Sequence, residues 1–360
     1  MPRFTVDPNI AKAKTIATDF YLDPKVFEES KEKIFAPSWQ YIGHSDMVKE
    51  ANSAYPFTLL ENYLDEPLLI TRDKDNHLHC MSNVCTHRGN LLVYEPCKVK
   101  DLVCKYHGRR FSCDGKFQSM PMFQEVENFP TKDDDLHKLS MYQWGKLLFT
   151  SLRPEIPAEE FFAEVKNRVE WFPMDKLEFR ADLSKDYIVD ANWALYCENY
   201  LEGFHIPFVH PELNAVLDFS NYKTEVFKYS NLQIGIAKKG DNCFDLPASS
   251  PDHGKNIAGY YFWIFPNLML NFYPWGISLN YIQPLAVSKT KVSFHIYVTD
   301  ASKLNTGAGG SLDNVEMEDE DVVQRVQKGI CSRFYKHGRY SVSMEKGTHH
   351  FHSLLAKFIG

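Results

Sequence analysis

Basic residues are in the minority: 40 Lys and Arg face 47 Asp and Glu, a net charge of −7 in 360 residues. No global positive field draws this chain to DNA, RNA or anionic lipid. Nor is there a run of about 18 apolar residues of the kind that crosses a bilayer. The strongest candidate, 258–285, is interrupted by Pro266, Asn267, Asn271, Pro274, Gly276 and Asn280, and is expected to form buried strands. The opening segment lacks the apolar stretch of a secretory signal. Cysteine is also sparse, with eight in the chain. That is a poor disulfide framework for this length, so thiols or metal ligands in a reducing, cytoplasmic compartment are expected. Neither nucleic acid nor a membrane is an expected partner.

Aromatic residues are plentiful at 14%, which points to strands or an aromatic-lined pocket. The length suits two domains. Residues 24–36 have a helical pattern, with Val26, Phe27, Ile34 and Phe35 on one face. From Trp39 to about Ser151, short β-type runs at 39–42, 67–71 and 146–150 alternate with turn residues. Residues 153–157 read as a linker, 158–171 as helix and 301–313 as a polar loop. A further helix is expected over 320–332, with Val322, Val323, Val326 and Ile330 on one stripe. The chain is thus α+β, with a β-rich module inside a larger body.

Two motifs carry chemistry. Cys85-Thr86-His87-Arg88-Gly89 and Cys104-Lys105-Tyr106-His107-Gly108 spell C-x-H, a gap of sixteen residues, then C-x-x-H. Two thiolates for one iron and two imidazoles for the other describe a Rieske [2Fe–2S] centre. Tetrahedral zinc is the alternative for two Cys and two His, although C-x-H is an awkward opening for a zinc knuckle. The glycines are expected to let backbone N–H groups approach the sulfurs. Cys80, Cys97 and Cys113 lie nearby outside the pattern and are expected to be small buried residues.

The second motif spans 190–211. Glu198, Glu202 and His205 share one face if the segment is a single helix. His205 and His210 would diverge by roughly 140° on that helix, so Pro207 is expected to turn the chain at Ile206 and bring them together. Two histidines and a carboxylate make the facial triad of a non-haem Fe(II) oxygenase. The carboxylate is sought in the acidic run 316–321. That run could equally be the charged start of a helix.

Together the motifs, from about Asp23 to the end, resemble the α (oxygenase) subunits of Rieske non-haem iron ring-hydroxylating oxygenases. Asn199-Tyr200-Leu201-Glu202-Gly203-Phe204-His205, with His210, is similar to that family's iron-binding segment. The tail, from Met317-Glu318-Asp319 to His349-His350-Phe351-His352, is similar to its choline-monooxygenase and carnitine-oxygenase branch. The resemblance implies an all-β Rieske domain (38–152) inserted in a helix-grip (START-like) catalytic domain with an antiparallel sheet (153–360), on which a helical segment (1–37) packs. It implies that Cys85, His87, Cys104 and His107 hold the cluster and that His205, His210 and Asp319 hold mononuclear Fe(II). It also implies a homotrimer in which Glu202, with Asn199 beside it, serves catalysis by linking His205 to a neighbouring copy's His107. The implied activity is O2-dependent hydroxylation, with electrons from an NAD(P)H-dependent reductase, with or without a ferredoxin. Thr306-Gly307-Ala308-Gly309-Gly310 follows no strand and is no dinucleotide fingerprint, so the reductase is separate. A quaternary ammonium compound is the expected substrate and an aromatic ring the alternative, with Tyr273, Trp275 or Phe265 as candidate pocket residues. A Rieske electron carrier without the second iron, and a zinc-containing ligand-binding protein, are the non-enzymatic readings.

Overall fold

The computed structural model describes residues 3–210, 223–238, 240–304, 306 and 312–360, the side chains of 312–315 aside. Residues 307–310 of the glycine-rich loop lie outside the described residues. The chain divides into two compact units, one of residues 39–154 and one of 1–38 with 155–360. Among the described residues no helix is long and apolar enough to cross a membrane.

The 39–154 unit is all-β. Its strands are β1 (Gln40–His44), β2 (Ser53–Leu59), β3 (Glu66–Arg72), β4 (Leu78–Ser82), β5 (Cys97–Lys98), β6 (Asp101–Val103), β7 (Arg110–Ser112), β8 (Phe117–Ser119), β9 (Ser140–Trp144) and β10 (Leu147–Ser151). They form antiparallel sheets ordered β1-β10-β9, β4-β3-β2-β5 and β6-β7-β8. Leu69, Met81, Leu92, Leu102, Phe111 and Leu136 form a core that also encloses Cys85 and Cys104.

The second unit adds β11 (Glu178–Phe179), β12 (Lys185–Val189), β13 (Lys223–Val226), β14 (Ser230–Ile236), β15 (Ile257–Ile264), β16 (Leu268–Tyr273), β17 (Gly276–Ala286) and β18 (Lys289–Val298). One antiparallel sheet runs β11-β18-β17-β16-β15-β14-β13, with β12 also paired to β18. Gln233, Tyr261, Asn271, Ser278 and Ile296 form a single cross-strand row. Because side chains alternate along a strand, such a row lies on one face. The Trp193–Tyr200 helix lies on this face. Tyr200 donates from its hydroxyl to Asn271 Oδ1 (2.7 Å), and its carbonyl accepts from Gln233 Nε2 (2.6 Å). The Lys346–Ile359 helix is packed against Trp263 through Phe351, with ring centroids 5.0 Å apart. The opposite face carries Tyr260 and Phe272 against Trp171, Phe172 and Phe244.

The N-terminal residues belong to this second unit. Asp23 caps the Pro24–Ser30 helix, and residues 31–35 continue it in a wider π-turn. Val26, Phe27, Ile34 and Phe35 are buried, and Lys33 Nζ donates to the Ile359 carbonyl. The helix expected over 158–171 is two short ones, Ala158–Phe161 and Ala163–Arg168, separated at Phe162.

Candidate metal centres

Cys85 and Cys104 open two loops of equal length. Residues 85–90 are closed by the Val84↔Leu91 bridge, and residues 104–109 by the Val103↔Arg110 pair of β6 and β7. The hydrogen bonds match as well. Each cysteine N–H donates to the carbonyl five residues on, of Asn90 or Arg109, at 2.8 Å. Each cysteine carbonyl accepts from the glycine four residues on, Gly89 at 3.0 Å and Gly108 at 2.9 Å. Both glycines have φ above +70°, a left-handed conformation that a side chain disfavours. Their role is therefore to close the turn, and their N–H groups go to carbonyls, not to sulfur as expected. The two thiols hydrogen-bond each other, and the N–H of His87 reaches the Cys85 sulfur while those of Tyr106 and His107, with the Asn90 amide, reach that of Cys104.

The cysteines are buried, each 2% exposed, whereas His87 is half-buried and His107 exposed. The two imidazole centroids are 4.8 Å apart. Burial pushes the Cys85 thiol up, while the donors around Cys104 hold it down against its own burial. Burial, then the neighbouring His107 and the positive charges of Arg88 and Arg109, hold the His87 imidazole low, which favours the neutral ring that binds metal. The spread of the four donors separates the two candidate groups. Among the described residues, no three of these donor atoms lie within 4.8 Å of one another, whereas a different trio of side chains does converge this closely. One tetrahedral zinc ion requires tighter convergence. A two-iron rhomb, with thiolates at its buried end and imidazoles at its open end, fits this spread. Cys80 and Cys113 are buried, as expected; Cys97 is exposed on β5, contrary to expectation.

The trio is His205, His210 and Asp319. The Trp193–Tyr200 helix is capped by Asn192, whose Oδ1 accepts from Ala194 N at 3.0 Å. It ends at Leu201, so Glu202 and His205 lie in the turn beyond it and do not continue the Glu198 face as a single helix would. Pro207 does not break the chain here. It occupies the second position of a one-turn helix, Ile206–Val209, where its missing N–H has no intrahelical acceptor to lose. His205 and His210 stand at the two ends of that turn, and their ring centroids are 5.1 Å apart.

Asp319 sits inside a helix that begins earlier than expected, Leu312–Ile330. Its inward stripe is Glu316, Val323, Gln327 and Ile330; Val326 is exposed. Gln327 Oε1 accepts from Asn192 N at 2.8 Å, and Glu316 takes the Tyr196 hydroxyl. These bonds link the two helices and aim Asp319 at the histidines. Asp319 Oδ1 is 3.0 Å from His210 Nε2 and 3.5 Å from His205 Nε2. The far side of each ring is also held. His205 Nδ1 meets Glu202 Oε1 at 2.8 Å, and His210 Nδ1 meets Glu318 Oε2 at 2.7 Å. A carboxylate at Nδ1 keeps the proton there and leaves Nε2 a lone pair for a metal. Burial works to lower the His210 pKa, but Asp319 and Glu318 outweigh it and hold it raised. This chemistry, two imidazoles and one carboxylate with their tautomers set, suits a non-haem iron with open positions.

Asn199 is half-buried on the last helical turn and is outside this set. Glu318 was not expected as a partner; its only sequence signal is its place beside Asp319. The C-terminal histidines hold structure. His352 is fully buried among Tyr340, Tyr21 and Glu198, while His350 meets Asn231 and His349 meets the Asp7 carbonyl. Tyr273 and Trp275 stack at 5.2 Å with 4% and 2% exposure, and Phe265 packs on Phe358 in the core.

One unit with a wide Cys/His set and another with a compact His/His/Asp set define a two-centre iron redox protein. Residues 38–130 match the Rieske [2Fe-2S] domain and residues 168–360 match the ring hydroxylating alpha subunit (catalytic domain), so the chain belongs to the ring-hydroxylating alpha-subunit family. It is a Rieske oxygenase, an O2-dependent oxidoreductase whose cofactors are a [2Fe–2S] cluster and a mononuclear non-haem iron. It is 30% identical to a chloroplastic choline monooxygenase of Amaranthus tricolor, across 95% of this chain and 77% of that one. It is 29% identical to the carnitine monooxygenase oxygenase subunit of Escherichia coli K12, across 97% and 95%. Among solved structures, the quaternary ammonium Rieske monooxygenase CntA with L-carnitine superposes with a TM-score of 0.79 at 24% identity, covering 98% and 97%. Naphthalene 1,2-dioxygenase from Rhodococcus sp. gives 0.71 at 17% identity, covering 96% and 93%.

Proposed function

We propose that this chain is the terminal oxygenase of a system that hydroxylates a quaternary ammonium compound of the choline, betaine or carnitine type. The observation that carries this reading is similarity over 95% and 97% of this chain to a choline and a carnitine monooxygenase. Cys85, His87, Cys104 and His107 would hold the cluster, and His205, His210 and Asp319 the iron. Bound there, these groups supply single electrons and the activation of O2.

The chain's own residues orient the rings. Glu202 and Glu318 retain a proton at Nδ1 of His205 and His210, so each ring offers Nε2. His210 is the buried member of the set, its side chain 1% exposed. Glu202 accepts twice from His205, from N at 3.1 Å and from Nδ1 at 2.8 Å. The reading gives Glu202 a second contact, to His107 of a neighbouring copy in a trimer, and gives Asn199 a supporting place beside it. Electrons come from a separate NAD(P)H-dependent reductase. The chain works in the cytoplasm, in keeping with its free thiols.

The test pairs the iron-loaded protein with a surrogate reductase and screens choline, betaines, carnitine and simple aromatics, with products read by mass spectrometry. O2-dependent oxidation of an ammonium compound is expected. Hydroxylation of aromatics alone would overturn the reading.

A further inference from the structure

Arg109 places a buried positive charge beside the cluster loops without belonging to either donor set. Its side chain is 2% exposed. The guanidinium lies over three rings, Phe117 at 4.9 Å, Phe129 at 5.4 Å and Phe111 at 5.7 Å. Nη2 donates to Asp134 Oδ1 at 2.6 Å and to the Asp134 carbonyl at 3.2 Å, while Nε has no hydrogen-bond partner. An aromatic enclosure of this kind holds a cation through the ring faces in place of water.

The placement joins both loops. The backbone carbonyl of Arg109 accepts from Cys104 N at 2.8 Å. The Asp134 carbonyl that takes the guanidinium also accepts from Thr86 Oγ1 at 2.8 Å, and Thr86 follows Cys85. The ion pair is asymmetric. Asp134 is 20% exposed, so water screens its charge, whereas the aromatic box shields the Arg109 charge from water.

We infer that Arg109 raises the reduction potential of the [2Fe–2S] cluster. One-electron reduction makes the cluster one unit more negative, and a fixed, poorly screened cation nearby favours that state. The inference rests on Cys85, His87, Cys104 and His107 being the cluster ligands.

The experiment is a redox titration of the purified, cluster-loaded protein, followed by the EPR signal of the reduced cluster, for wild type, Arg109→Lys, Arg109→Met and Asp134→Asn. In Arg109→Met the ratio of reduced to oxidised cluster at fixed solution potential should fall about tenfold, which is 59 mV for one electron. Arg109→Lys should stay near wild type. Asp134→Asn, which leaves the cation without its counter-charge, should shift the opposite way. A purely structural pin would change cluster loading or melting in these variants and leave the potential of the loaded cluster unmoved, and that result overturns the inference. If Arg109→Met retains no cluster, Arg109→Gln, which keeps a polar side chain and removes the charge, decides: a lowered potential supports the inference, and an unchanged or raised one overturns it. A wild-type protein without the reduced-Rieske signal would instead remove the ligand assignment, a distinguishable failure.

Discussion

Gly347 lies directly against the carbonyl of Leu201, and a methyl group built on it would overlap that oxygen. The start of the C-terminal helix thus rests on the turn that carries Glu202 and His205. Gly347→Ala should displace that turn. The expected outcome is about 1–3 kcal/mol of lost stability from overpacking and weaker retention of the mononuclear iron, with the cluster spectrum intact. Thermal melts, iron analysis and the visible spectrum check each part.

His205→Ala or Asp319→Ala should empty the mononuclear site and leave the cluster, because the two donor sets share no residue. Glu318→Ala should be milder. It frees His210 to take the wrong tautomer and lowers iron affinity about 10–100-fold. Iron titration of the metal-stripped protein measures the difference, and loss of cluster colour in any of the three would count against separate sites.

Glu202→Gln should keep both metals and slow product formation. The amide preserves the shape of the contact at His205 Nδ1 but removes the charge. Single-turnover oxidation of the reduced cluster, with substrate and O2 present, gives the rate; an unchanged rate would remove Glu202 from the electron route.

His350 gives the fold a pH dependence. Burial holds its pKa down to about 4, against an ordinary value of 6.5. The folded state therefore keeps the ring neutral where the unfolded chain would charge it. The associated stability is complete above pH 6.5 and is lost as pH falls towards 4, an effect of about 3 kcal/mol. His350→Gln should flatten the urea-unfolding profile between those pH values.

The donor types and their spacing were legible along the chain because each half-site is local: a Cys and a His within four residues, or two His bracketing one turn. Asp319 was legible only by resemblance, since nothing in the acidic run 316–321 distinguishes one carboxylate from the next until the helix is seen to start at Leu312. The break after Tyr200 was hidden. Helical spacing of Glu198, Glu202 and His205 suits a continuous helix, and the break depends on Tyr200 being fastened to β14 and β16, residues far away in sequence. Glu318, Arg109 and His352 were hidden for the same reason: their partners are long-range, and a charged or aromatic residue does not announce its contacts.

His205 and His210 come from one short turn, whereas Asp319 comes from a helix more than a hundred residues later. An ion seated between them would act as a rivet joining two stretches of chain far apart in sequence, beside the Gln327–Asn192 and Glu316–Tyr196 bonds that already link them. Chelation should then do more than silence the enzyme: it should unfasten Leu312–Ile330 and raise amide exchange along that helix, leaving the β-sheet core protected.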